Sequence, residues 1–285
     1  MPLDLQLLRL LLAFCSGWLV VAVVTTVADT FGTGRAGFAG GLPSTGPVSL
    51  LFIGWSQSTA AAVQAAVGFP LGFSVTFAFL LCYALPRRGG FGGRMTVALS
   101  IWFVLAAIVA LSGFDDFALS VGISVLMALG VYAALRMAGI KEAPHAPTRF
   151  NFRQVVWRGT LGGCVVAGVV LLSLSAGPLV GGVFAATPAI WTSSLYVTSR
   201  AHGVEFSRSL AKSFIMVGML TIVPFGFAVR YLLMDFGLWW GILLAYVAIS
   251  PMAWLAWRLT PSRRASMVMS EPGRASPISN GASQT

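Results

Sequence analysis

Charge is what this sequence has least of. Only 9% of its 285 residues are Asp, Glu, Lys or Arg, against about 25% in a soluble domain. Histidine is almost missing: His145 and His202 lie far apart in loops, without the spacing of metal ligands. Cys15, Cys82 and Cys164 stand singly inside apolar runs. They lack the paired spacing of a disulfide framework or a metal site and read as small lipid-buried residues. Gly89 to Gly93 has no Lys-Ser/Thr after it, so it is not a phosphate loop. No Ser, His and Asp fall into a nucleophilic arrangement. The chain is therefore expected not to be an enzyme and to hold no cofactor and no metal. Acidic residues deep in apolar segments are also wanting. Asp29 ends the first apolar run, Asp115 and Asp116 sit in a turn, and Asp235 lies near Arg230 at an interface. Buried ionisable groups usually mark a proton-driven mechanism, so their scarcity weighs against one.

Apolar residues fill the place of the missing charge. They make up 57% of the chain, and the mean hydropathy is +0.87. No water-soluble fold hides that much apolar surface, so the partner expected first is the lipid bilayer. The net charge of +10 would suit a nucleic-acid binder, but its Lys and Arg residues lie between apolar runs. That is the pattern of membrane orientation, and no nucleic-acid partner is expected.

The runs extend from Leu7 to Ala28, Gly40 to Ser58, Ala62 to Leu85, Met95 to Leu111 and Phe117 to Met137. They continue from Gly159 to Ser175, Leu179 to Ser199, Phe214 to Leu232 and Leu238 to Trp257. Most approach the roughly 20 residues that cross a bilayer as a helix. Continuous apolarity favours helices over alternating barrel strands. A cleaved signal peptide ending at Thr26-Val27-Ala28 competes for the first run, which is long for that purpose and lacks a basic start. From Pro261 the chain is Ser/Gly/Pro-rich and reads as a disordered tail.

Basic loops at Arg87 to Arg94, Lys141 to Arg158 and Arg200 to Lys212, with the tail from Arg258 to Arg274, are expected on the cytoplasmic side. Counting back gives about nine helices, an outside N-terminus and a cytoplasmic C-terminus in a cell membrane. A rival makes Gly40 to Ala62 a re-entrant hairpin and moves the N-terminus inside.

Gly40-Gly41-Leu42-Pro43-Ser44-Thr45-Gly46-Pro47 opens its segment with Gly and Pro. Gly181-Gly182-Val183-Phe184-Ala185-Ala186-Thr187-Pro188 does the same, at an offset of 141 residues. The same offset pairs Trp55 with Tyr196, Ser58 with Ser199, Gln64 with Glu205 and Phe73 with Phe214. Four helices then fall in each half, and Phe117 to Met137 is left between them. One extra helix between even-numbered units inverts the second, giving the inverted repeat of many secondary transporters. The expected fold is an all-α polytopic membrane protein with two four-helix repeats. Residues 1–115 form the first repeat, 116–138 the linking helix, 139–158 a basic loop, 159–260 the second repeat and 261–285 the tail.

The Gly-Gly-x-x-x-x-x-Pro segments, and above all Gly181 to Lys212 with Arg200-Ala201-His202-Gly203-Val204-Glu205-Phe206-Ser207, resemble the small GlpM-type bacterial and archaeal membrane proteins. The resemblance implies four-helix units that insert in both orientations and pair antiparallel, here fused in tandem through a linking helix. It implies architecture more than activity. The first copy departs from it, with Thr59-Ala60-Ala61-Ala62-Val63-Gln64 in place of the charged loop.

On a helix Pro47, Leu51, Trp55 and Ser58 share one face, as do Pro188, Thr192, Tyr196 and Ser199. Each Pro frees the carbonyl four residues earlier, and Ser44, Thr45 or Thr187 is placed to bond it. These faces are the candidate lining of a solute pathway, against the alternative that small residues there only let helices pack. Arg200, Glu205 and Arg208 are the candidate gate at the cytoplasmic mouth, against the alternative of a solvated loop. The expected function is a permease or channel for an unidentified small solute. A non-transporting accessory protein of a membrane complex is the alternative, and homo-oligomerisation is left open.

Overall fold

The computed structural model describes residues 3–31, 42–86, 88–140 and 151–259. Gly40, Gly41, Arg87, the Lys141 to Arg149 part of the basic loop and the tail lie outside them. The described residues form helices and no strands. In chain order these are α1 (Leu3–Phe31), α2 (Thr45–Ser56), α3 (Thr59–Ala84), α4 (Phe91–Leu111), α5 (Phe117–Met137), α6 (Phe152–Ala176), α7 (Pro178–Phe184), α8 (Ala189–His202) and α9 (Val204–Leu259). Six of these, α1, α3, α4, α5, α6 and α9, are long and apolar enough to cross a membrane. The protein is an α-helical, multi-pass membrane protein. Leu7, Leu11, Phe103, Ile108, Leu126 and Trp240 are exposed on the outer helices, where lipid is their natural solvent.

Local chemistry sets the ends of the helices. Ser58 accepts from the Ala61 amide at 3.1 Å and caps α3. Asp116 accepts from Leu119 at 2.9 Å and caps α5. Asn151 accepts from Arg153 at 3.0 Å and caps α6, satisfying amides that the first turn leaves open. The last cap revises the sequence reading, because Arg153 and Arg158 belong to α6 and not to a loop. Arg200 to Arg208 is likewise two helices meeting at Gly203, whose φ of 89° makes the turn.

Two segments differ more. Gly40 to Ser58 contributes, in its described part, only the 12-residue α2, about 18 Å long at 1.5 Å per residue. Leu179 to Ser199 is not one span. It is α7 and α8 with a break over 185–188, where Pro188 has no amide to offer and disfavours a helical Thr187. Conversely, α9 runs for 56 residues but reverses at Gly237, whose φ is 73°. Its arms, 204–236 and 238–259, pack together, with the Phe225 and Tyr246 rings 5.2 Å apart.

The central shaft is α3, buried along most of its length and packed against α2, α4, α5, α7 and α9. Its partner is the first arm of α9, which runs antiparallel to it. Arg208 donates to Ala84 O at 2.7 Å at one end and Arg230 to Val63 O at 3.0 Å at the other. At mid-length a β-carbon on Gly218 would lie 3.3 Å from Phe77. The other close pair is α1 with α6. A β-carbon at Gly159 would lie 2.8 Å from Trp18, and one at Gly162 would lie 2.3 Å from Val21. Here too the helices are antiparallel, because Arg9 of α1 reaches Ser56 O while Ser173, near the end of α6, bonds the adjacent Gln57.

Candidate functional site

The two short helices start at the same place. The N-terminal turns of α2 and α8 meet across a cavity of about 30 Å³, lined by 42–46 from one and 186–188, Ile190 and Trp191 from the other. Phe69, Phe73 and Thr76 from the middle of α3 and Ile222 of α9 complete the lining. The first turn of a helix has amides without helical carbonyls. On one side these belong to Ser44, Thr45 and Gly46, and on the other to Ile190. Pro47, in the first turn of α2, and Pro188, at the N-cap of α8, stand where a missing amide costs little. Ser44 is 6% and Thr45 8% exposed. Neither hydroxyl has a hydrogen-bond partner among the described residues, and Ser44 does not cap α2 with its side chain.

The break before α8 is held from below. The Thr76 hydroxyl donates to Ala186 O at 2.6 Å and accepts from Trp102 Nε1 at 2.9 Å, tying it to α3 and α4. Each Pro-freed carbonyl is bonded. Phe184 O accepts from Thr187 Oγ1 at 2.5 Å, as the sequence suggested. Pro43 O instead accepts from Tyr246 Oη at 2.9 Å, a donor some 200 residues away that spacing could not reveal.

A second, larger cavity of about 830 Å³ opens between the starts of α4 and α6, against α8. Thr192, Tyr196 and Arg200 line it, with Arg153, Gln154 and Trp157 of α6 opposite. Thr192 Oγ1 and Gln154 Oε1 are buried without hydrogen-bond partners. The predicted face of α8 thus runs from the small cavity at Pro188 to the large one at Thr192 and Tyr196, while Ser199, one turn on, lines neither. The matching face of α2 diverges after Ser44 and Thr45. Pro47 is buried, Trp55 packs on Trp239 and under Arg9, and Ser58 is the α3 cap.

The proposed gate residues separate. Arg208 pairs with Glu205, while Arg200 lies in the large cavity. Arg94 joins the pair: it belongs to the first turn of α4 and not to the basic loop before it, is 5% exposed and lies 3.8 Å from Glu205. Its Nε donates to Gly89 O at 2.9 Å. Tyr83 and Ser207 share a hydrogen bond beneath. Two buried guanidinium groups thus sit under one carboxylate whose side chain is 73% exposed. Arg94 directly abuts the Met95 to Leu111 run, and no local signal separates it from the loop arginines before it.

No family model, curated protein or solved structure matches this chain. The likeness to GlpM-type proteins therefore rests on the residues quoted for it, and the geometry carries the functional argument alone. Among the described residues no three His, Cys, Asp or Glu side chains gather as metal ligands. What the site offers is free amide and hydroxyl donors in the interior, with a cationic cavity beside them.

Proposed function

We propose that the protein is a permease or channel for a small solute, built from two inverted repeats that meet at the α2–α8 junction. The observation that carries this reading is the junction itself. Two broken segments start short helices at one interior point, the way transporter sites place free backbone groups at mid-membrane. Its depth agrees, since it is lined from the middle of α3.

The helix crossings support the inverted arrangement. Phe77 meets Gly218, Trp18 meets Gly159 and Val21 meets Gly162, and each pair is separated by 141 residues, the offset between Gly40 and Gly181. Equivalent helices of two units related by a two-fold axis cross at equivalent residues and run antiparallel. Both pairs do so. The order of elements also recurs. A long helix, a short helix that starts at the junction, and two further long arms occur from α1 to α4 and again from α6 to the second arm of α9, with α5 between and α7 described only in the second unit. With α7 and α8 counted as one broken crossing, α2 as another and α9 as two, the proposed count is nine crossings. The basic ends of α4, α6 and α8 then face the cytoplasm together, and the large cavity is the cytoplasmic vestibule.

Flux from vesicles containing the purified chain tests transport. Wild-type protein is expected to release at least one small solute. Pro188→Ala, which permits helix to run on from α7 into α8, is expected to slow that release severalfold. A broad solute panel without flux, together with a stable co-purifying partner, would select the accessory reading instead.

A further inference from the structure

We infer that the α2–α8 junction binds a small inorganic anion of halide size, and that an anion of this class is the solute carried. The second half of this inference rests on the permease reading, but the binding half does not. Each helix N-terminus carries about half a positive charge and presents open amides, and here two such ends share one cavity. Helix ends alone would be ordinary packing. The independent observation is at Ser44 and Thr45, residues more than nine-tenths buried that line the cavity and whose hydroxyls have no partner among the described residues. Buried hydroxyls are normally satisfied, and these have room only for something that enters.

Size and sign narrow the class. The cavity of about 30 Å³ exceeds the roughly 10–15 Å³ that holds one water and falls far short of the roughly 300 Å³ at which organic-ligand pockets begin, which suits a single-atom or few-atom ion. Among the described residues no carboxylate lines it, and none lines the larger cavity, where Arg153 and Arg200 stand. A cation at the junction would face amide and hydroxyl hydrogens with no negative group to offset them. An anion would gain charge-assisted hydrogen bonds, roughly twice as strong as neutral ones. The cationic cavity beyond Thr192 would also concentrate anions next to the site.

Full-length protein in detergent is titrated with sodium fluoride, chloride, bromide and iodide, against sodium gluconate at equal ionic strength, and its thermal unfolding is followed. Ligand binding to the folded state raises the midpoint with concentration. At least one halide is expected to do so saturably. Thr45→Val, which keeps shape and removes the hydroxyl, should raise the half-saturating concentration roughly tenfold, and Thr45→Ser should restore it. The same protein in vesicles is assayed for halide efflux with ion-selective electrodes. Saturable halide binding with no flux of any solute upholds the site and removes the permease reading. Flux of a cation or neutral solute, with no halide raising the midpoint, overturns the anion assignment and leaves transport standing. Equal losses in Thr45→Val and Thr45→Ser overturn the role of the hydroxyl.

Discussion

Arg208 and Glu205 look like a matched ion pair, but their surroundings make them unequal. The Arg208 side chain is 10% exposed and also bonds the Ala84 carbonyl at the end of α3, whereas the Glu205 side chain is 73% exposed. Removing the arginine unties α9 from α3 and leaves a buried acceptor open. Removing the carboxylate changes a group that water already screens. Arg208→Ala is expected to cost about 3 kcal/mol and Glu205→Ala about 1 kcal/mol, ranked by unfolding in detergent. Equal losses would show that the charge pair, and not the tie to Ala84, holds this corner. At this scale the sequence was readable where chemistry is local. The Pro188 break and the bond that the Thr187 hydroxyl donates to Phe184 O follow from spacing along one segment. Arg94 under Glu205 and Tyr246 on Pro43 O were not readable, because those partners come together only through packing of separate helices. Trp55 and Ser58 were misleading for a related reason. Helical periodicity puts them on the face of Pro47, but α2 carries that face toward Arg9 and Trp239 and stops before Ser58.

Hydropathy reads whole helices well and broken ones poorly. Every long helix was visible as an apolar run, since continuous apolarity needs no tertiary information. Leu179 to Ser199 is as apolar as its neighbours, and only Pro188 and the two glycines hint that α7 and α8 are separate. The seat of α7 explains why it is short and glycine-bearing. A β-carbon on Gly182 would fall 1.8 Å from Ala65 O, backbone that cannot move aside, and one on Gly72 would fall 2.3 Å from Val183 O. Gly182→Ala should therefore push α7 off α3 and cost up to about 3 kcal/mol. Gly218→Ala, with 3.3 Å to a Phe77 ring atom, should cost less than half as much. Comparable midpoints for the two variants would argue that α7 does not sit against α3 in this way. The reversal in α9 has a separate requirement. Gly237, at φ 73° with open space around its α-carbon, should lose about 1–2 kcal/mol as Ala through backbone strain alone.

At the scale of the whole molecule, the account depends on two halves facing opposite ways. The proposed repeat rests on an offset of 141 residues between Gly/Pro-bearing segments, and an axis through that offset would call for antiparallel crossings such as those at Phe77–Gly218 and Trp18–Gly159. The charge pattern was legible as well, since Arg94, Arg153, Arg200 and Arg208 stand at the ends of helices that gather on one face. The sequence reading puts the Pro47 and Pro188 faces on one pathway, but that Phe69, Phe73, Thr76 and Ile222 close the cavity between them was not legible, because no periodicity within a segment reports what packs across it. Inversion has one consequence that no packing detail can supply: an odd number of crossings, which puts the termini on opposite sides. Reporter fusions before Leu7 and after Thr260, scored for compartment in intact cells, measure this directly. The account predicts an outside N-terminus and a cytoplasmic C-terminus. Both termini on the same side would contradict it.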